Sequence, residues 1–110
     1  MKLKRDDLSG TIVKDSAVYK VIDNTYLNRL VVSKTVLHPT KETSGHQHAG
    51  QEEVYQFVHG NGDMLVGNSK FSVSTGDTVL IPDGEFHKVF NTSHVEDLVF
   101  ICVFDGDRTH

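Results

Sequence analysis

The chain has 110 residues, of which 37% are hydrophobic and 24% are charged, a balance typical of a single globular domain. Its formal net charge of -4 and its pI near 5.9 argue against a surface that binds nucleic acid or an anionic membrane. Cys102 is the single cysteine, which excludes an internal disulfide and a cysteine-rich zinc module.

The predicted elements are all strands. From Ala17 onward, short runs rich in β-branched and aromatic residues alternate with turn residues, which is the pattern of a sandwich or barrel. The predicted strands cover residues 18–22, 29–37, 54–58, 63–66, 70–74, 78–81, 87–90 and 98–104. Eight or more short strands predict an all-β jelly roll or small closed barrel, with residues 17–110 as its single domain.

Residues 1–16 have the weakest strand pattern, and we expect an N-terminal arm that forms an edge strand, exchanges with a dimer partner or frays.

No apolar run approaches the ~20 residues needed to span a bilayer, and the first residues are charged, so we expect a cytoplasmic protein.

The histidines indicate the chemistry. His46 and His48 stand two residues apart, so in a strand both imidazoles would reach the same face. Glu53 follows a segment whose Gly50 can turn the chain back toward that face. His87 comes later, just after a Pro-Asp-Gly turn at residues 82–84.

These residues lie in two motifs. The first reads H-x-H-x4-E-x6-G from His46 to Gly60, and the second reads G-x5-P-x-G-x2-H-x3-N from Gly76 to Asn91. Together they resemble the two signature motifs of the cupin superfamily over residues 40–91. That family places a glycine six residues before the first histidine, where this chain has Thr40. Because this glycine shapes a turn and is not a ligand, the difference concerns the geometry of the loop and leaves the expected metal binding intact.

The resemblance implies a cupin jelly-roll β-barrel in which one divalent ion is coordinated by four side chains, those of His46, His48, Glu53 and His87. Three imidazoles and one carboxylate suit Mn, Fe, Co, Ni or Zn. An ion that prefers six ligands would keep two positions open for water or substrate, as a catalytic site requires.

Two residues near the predicted ligands are candidates for moving protons. Tyr55 shares the strand face of Glu53, so its hydroxyl could meet a bound ligand, although it could equally be a core aromatic. Glu52 is a spare carboxylate that could act as a general base, although a solvated loop position is the simpler interpretation.

The segment from Ser44 to His48 and the segment from Gly60 to Leu65 are similar to the corresponding stretches of cupin-type sugar-phosphate isomerases. We therefore expect a metal-dependent enzyme that acts on a polar, oxygen-rich small molecule by isomerase or epimerase-type proton transfer on a sugar derivative. The alternatives are an Fe(II)-dependent dioxygenase and a non-catalytic domain that binds a small ligand. We expect no nucleic-acid or membrane partner, and a homodimer that packs through the outward half of residues 99–103 or 29–37.

Overall fold

A computed structural model of the chain describes residues 1–47 and 49–106. Within these ranges the regular structure consists of strands, and no helix is long and apolar enough to cross a membrane. The nine strands are β1 Thr11–Asp15, β2 Tyr19–Asn24, β3 Leu30–Leu37, β4 Glu53–His59, β5 Asn61–Val66, β6 Ser69–Ser74, β7 Thr78–Ile81, β8 His87–Phe90 and β9 Leu98–Asp105.

The strands form two antiparallel sheets. The larger sheet has the order β1-β2-β3-β9-β4-β7, and the smaller has the order β6-β5-β8. Strand β1, residues 11–15, is the edge of the larger sheet and pairs with β2. The all-β jelly-roll fold predicted from the sequence is confirmed.

The core lies between the two sheets, because each inner strand alternates buried and exposed side chains. In β4 the side chains of Glu53, Tyr55 and Phe57 are buried, while those of the intervening residues are exposed. The largest fully buried side chains are Phe57, Phe100, Leu37, Met64, Leu98 and Val89. The face of β4 that carries Glu53 therefore points into the barrel, as strand parity predicts.

The opposite face of the larger sheet is partly covered by the N-terminal arm. Leu8 is buried there, the Lys34 ammonium donates to the carbonyl oxygens of Arg5 and Asp6, and the Asn24 amide donates to that of Leu8. The rest of this outer face carries the exposed aliphatic side chains Val54, Val58 and Leu80, the exposed polar side chains Gln56 and Thr78, and the half-buried side chains Val99, Ile101 and Val103 of β9. The homodimer stays a prediction, and this face is the surface that it would use.

Thr40 adopts a backbone conformation that glycine favours. Its φ is +67°, in the left-handed region, and its amide donates to the carbonyl oxygen of Ser93 at 2.8 Å. A β-branched residue is strained there, because its side chain crowds the following carbonyl. The turn thus holds a threonine in a conformation that glycine adopts more readily.

We expect Thr40→Gly to stabilise the protein. Relief of left-handed strain is worth roughly 1–2 kcal/mol, and the added freedom of glycine in the unfolded chain offsets about half of it. The net gain of about 0.5–1 kcal/mol should raise the urea midpoint of unfolding. Thr40→Ala keeps the Cβ atom and should raise the midpoint less than Thr40→Gly does, and a lower midpoint for Thr40→Gly than for the wild type would contradict the presence of strain.

Candidate metal centre

Two of the predicted ligands are held opposite each other by backbone hydrogen bonds. The amide of His46 donates to the carbonyl oxygen of His87 at 3.1 Å, and the amide of His87 donates back to that of His46 at 3.0 Å. A further bond from the Thr43 amide to the Val89 carbonyl makes this segment behave as an extra strand beside β8. Paired residues in such a ladder present their side chains to the same face, so both imidazoles reach one point.

Glu53 reaches the same point from the other sheet. It is the first residue of β4, and it pairs with Phe104 of β9 and Ile81 of β7. The loop before it is fastened to the turn that precedes His87, because the Gly50 amide donates to the Asp83 carboxylate at 2.7 Å. Gly50 has a φ of +82°, which lets the chain turn back as the sequence predicts.

The side chains of His46, Glu53 and His87 meet in a cluster with metal-ligand geometry, which we call the His-Glu-His cluster. One ligand atom from each lies within 4.8 Å of the other two. The Nε2 atom of His87 lies 2.7 Å from the Glu53 carboxylate and 2.9 Å from Nε2 of His46. Glu53 and His87 are buried, whereas His46 is exposed. The fourth predicted ligand, His48, lies outside the described residues.

The donor atoms of this cluster fit a divalent cation. Nδ1 of His87 lies 3.0 Å from the carbonyl oxygen of Glu85, and because a carbonyl only accepts, Nδ1 carries the proton. In the neutral ring Nε2 then has a lone pair, which faces a carboxylate oxygen at 2.7 Å. A protonated His87 would form an ion pair with this carboxylate, and a divalent cation bound to both atoms would offset their repulsion in the same way. Ligand atoms about 2.1 Å from one ion and at right angles lie about 3 Å apart, close to the distances found here.

A cavity of about 280 Å³ opens beside the cluster, between the larger sheet and the segment before His46. We call it the inner cavity. His46 and Glu53 form one part of its wall. The rest combines a few apolar side chains with polar ones, namely Lys14, Tyr19, Asp23, Ser33, Thr35, Thr43, Ser44, Tyr55 and Cys102. A concave site with a few convergent polar groups is the usual form of a small-molecule pocket.

The two predicted catalytic residues lie in different surroundings. Tyr55 is buried, lines the inner cavity, stacks on Phe100 with ring centroids 5.2 Å apart, and meets the His87 ring edge-on at 5.6 Å. Glu52 is exposed, on the opposite side of the chain from Glu53. The catalytic roles of both residues stay predictions.

The polar side chains of β2 and β3 that line the inner cavity away from the His-Glu-His cluster were not identified from the sequence. Ser33, Thr35 and Leu37 are at alternate positions of β3, so their side chains share its buried face. This parity with a leucine could have identified Ser33 and Thr35 as polar groups that face the barrel. Asp23 is opposite Ser33 on β2, and only the register between the strands places it there. Asn91 of the second motif has a different task, because its amide donates to the carbonyls of Leu37 and Glu96 and joins distant segments.

Comparisons with known proteins agree with this architecture. A family model described as "Cupin domain" matches residues 33–104. An uncharacterized protein of Methanocaldococcus jannaschii is 27% identical over 107 residues, which are 94% of this chain and 86% of that protein. An oxalate decarboxylase of Arthroderma benhamiae is 35% identical over 71 residues, which are 64% of this chain and 16% of that enzyme.

Among solved structures, KdgF from Halomonas sp. has the same fold. Its TM-score with this chain is 0.80 at 17% sequence identity, and the match covers 98% of this chain and 96% of that one. Both signature motifs lie within the 33–104 match of the family model, and they contribute strands to both sheets. The chain belongs to the cupin family.

Proposed function

We propose that the chain is a divalent-metal-dependent enzyme that moves a proton on a small, oxygen-rich molecule, as isomerases and epimerases of sugar derivatives do. The observation that carries the proposal is the His-Glu-His cluster in the wall of a polar cavity of about 280 Å³. The 35% identity with part of an oxalate decarboxylase supports an oxygen-rich, carboxylate-bearing ligand.

His46, Glu53 and His87 would hold the ion, together with His48 as predicted from the sequence. A bound divalent ion supplies Lewis acidity, which polarises a carbonyl or hydroxyl of the ligand. Mn, Fe, Co, Ni and Zn all suit these ligands. The carbonyl of Glu85 fixes the proton of His87 on Nδ1 and so keeps Nε2 aimed at the cluster.

Tyr55 is the side chain best placed to move the proton. Its ring is fixed between Phe100 and the edge of His87, and its hydroxyl is bonded to the Cys102 side chain within the cavity. A positioned hydroxyl can donate a proton to a substrate oxygen or receive one from it. The burial of the ring excludes water from one side of the reacting group.

The test is proton exchange between substrate and solvent. The protein, purified without chelators or nickel columns, is first analysed for metal and then incubated in D2O with a panel of aldoses and sugar acids. We expect deuterium to enter a carbon-bound position, detected by NMR. Oxygen consumption in place of exchange would indicate an oxygenase, and saturable binding without either would indicate a binding domain.

Tyr55→Phe should leave the metal content unchanged and lower the exchange rate about 10²–10⁴-fold, the usual contribution of a general acid or base. The phenylalanine ring keeps the stacking on Phe100, so the loss isolates the hydroxyl. Tyr26→Phe is the matched control, because Tyr26 is 70% exposed and should keep the full rate. An unchanged rate for Tyr55→Phe would remove Tyr55 from the reaction.

A further inference from the structure

A row of inward-facing side chains leads away from the His-Glu-His cluster across the larger sheet. Tyr55 is paired with Cys102, Cys102 with Ser33, and Ser33 with Asp23. All four residues line the inner cavity. The row therefore forms a polar path that begins beside His87 and ends at Asp23 on β2.

The far end of this path holds a buried acceptor. The Oδ1 atom of Asp23 is buried and finds no hydrogen-bond donor in the two described ranges, 1–47 and 49–106. A buried carboxylate oxygen that has lost its water without gaining a donor is destabilising. A donor group on a molecule bound in the inner cavity would satisfy it.

Cys102, midway along the row, indicates that both ends share one electrostatic environment. Burial raises the pKa of its thiol well above the ordinary value, and the negative charges of Glu53 and Asp23 raise it further, while the bond to Tyr55 lowers it. Glu53 and Asp23 both line the inner cavity, so a molecule that fills it would meet both carboxylates.

The neighbours of Asp23 indicate which donor fits. Lys14 lines the same part of the cavity and bonds the Tyr19 hydroxyl at 3.3 Å, so a cationic ligand group would meet a positive charge there. The hydroxyls of Ser33 and Thr35 both donate and accept. A ligand hydroxyl, which also does both, matches this mixture of a carboxylate, an ammonium and two alcohols.

We propose that Asp23 is a specificity-determining residue that binds a hydroxyl of a polyhydroxylated acid whose carboxylate end lies at the His-Glu-His cluster. The inference rests on the proposed function for the metal centre and names its substrate class. Three strand spacings of about 4.8 Å separate the strand of Asp23 from that of Tyr55. A two-carbon acid held at the cluster therefore cannot reach Asp23, whereas a sugar acid extends toward it.

Calorimetry with Mn²⁺-loaded full-length protein and two probes tests this. Glycolate and D-gluconate share a carboxylate with an adjacent hydroxyl, and only gluconate adds a hydroxylated chain. We expect gluconate to bind at least tenfold more tightly to the wild type. Asp23→Asn should remove most of that preference while changing glycolate affinity less than twofold. Asp15→Asn, the same change at an exposed position of the neighbouring strand, should keep the preference.

The outcomes separate the two proposals. If the protein binds Mn²⁺ and glycolate but does not prefer gluconate, the role of Asp23 is wrong and the metal centre stands. If Asp23→Asn weakens both acids equally, Asp23 supports the site as a whole and is not a specificity residue. If the wild type binds no metal, the proposed function fails and this inference fails with it. The absence of a wild-type preference for gluconate would overturn the proposal without any variant, so the proposal stays falsifiable even if Asp23→Asn does not fold.

Discussion

Glu53→Ala should lose its bound metal. The Glu53 carboxylate is buried, and one of its oxygens lies 2.7 Å from Nε2 of His87. Its removal leaves the two imidazoles of His46 and His87 without a carboxylate ligand beside them. We expect the metal content to fall from about one equivalent to below a tenth under conditions that load the wild type fully. Plasma mass spectrometry of the purified proteins measures this directly.

Glu52→Ala is the matched control, because it removes the same functional group one residue away. Its side chain is exposed, so the substitution should cost no more than ~0.5 kcal/mol of stability and should leave the metal content at the wild-type level. Circular dichroism establishes that both variants fold. If Glu52→Ala lost the metal and Glu53→Ala kept it, the ligand assignment would be reversed.

Metal affinity should fall steeply between pH 7.5 and pH 5.5. An imidazole binds a metal only when its lone pair is free, and free histidine titrates near 6.5. For a free histidine, the neutral fraction falls about tenfold over this interval. Two histidine ligands, His46 and His87, should therefore lower the metal affinity about 100-fold. Participation of His48 would make the loss larger.

Competition titrations with a calibrated chelator at the two pH values measure this loss, and calorimetry in buffers of different ionisation enthalpy counts the protons released. A circular dichroism spectrum at pH 5.5 is needed to show that the barrel is still folded. An affinity that stays constant across the interval would argue against histidine ligands.

Local pattern was enough to predict most of the strands and the direction of the key side chains. The alternation along β4 placed Glu53, Tyr55 and Phe57 on one face, and the structure buries all three. Strand β1 cannot be predicted from periodicity, because all five of its residues are exposed and neither face carries an apolar pattern. It forms because its backbone pairs with β2, and sequence periodicity does not report such pairing.

The far end of the inner cavity could not be predicted for a related reason. Asp23 and Cys102 are 79 positions apart in the chain and share a row only because β3 lies between their strands. Register across three strands is a long-range property, set when the sheet assembles. The metal-ligand prediction depended on two motifs whose spacing could be read locally, and its fourth member, His48, stays a prediction.

The buried thiol of Cys102 can be used to detect molecules that bind in the inner cavity. Cys102 is the only cysteine of the chain, it is 6% exposed, and it borders the inner cavity. Because the thiolate is the reactive form and the pKa is raised, alkylation at neutral pH is expected to be slow. A molecule that binds in the inner cavity should slow the reaction further, and mass spectrometry of the alkylated protein measures this protection.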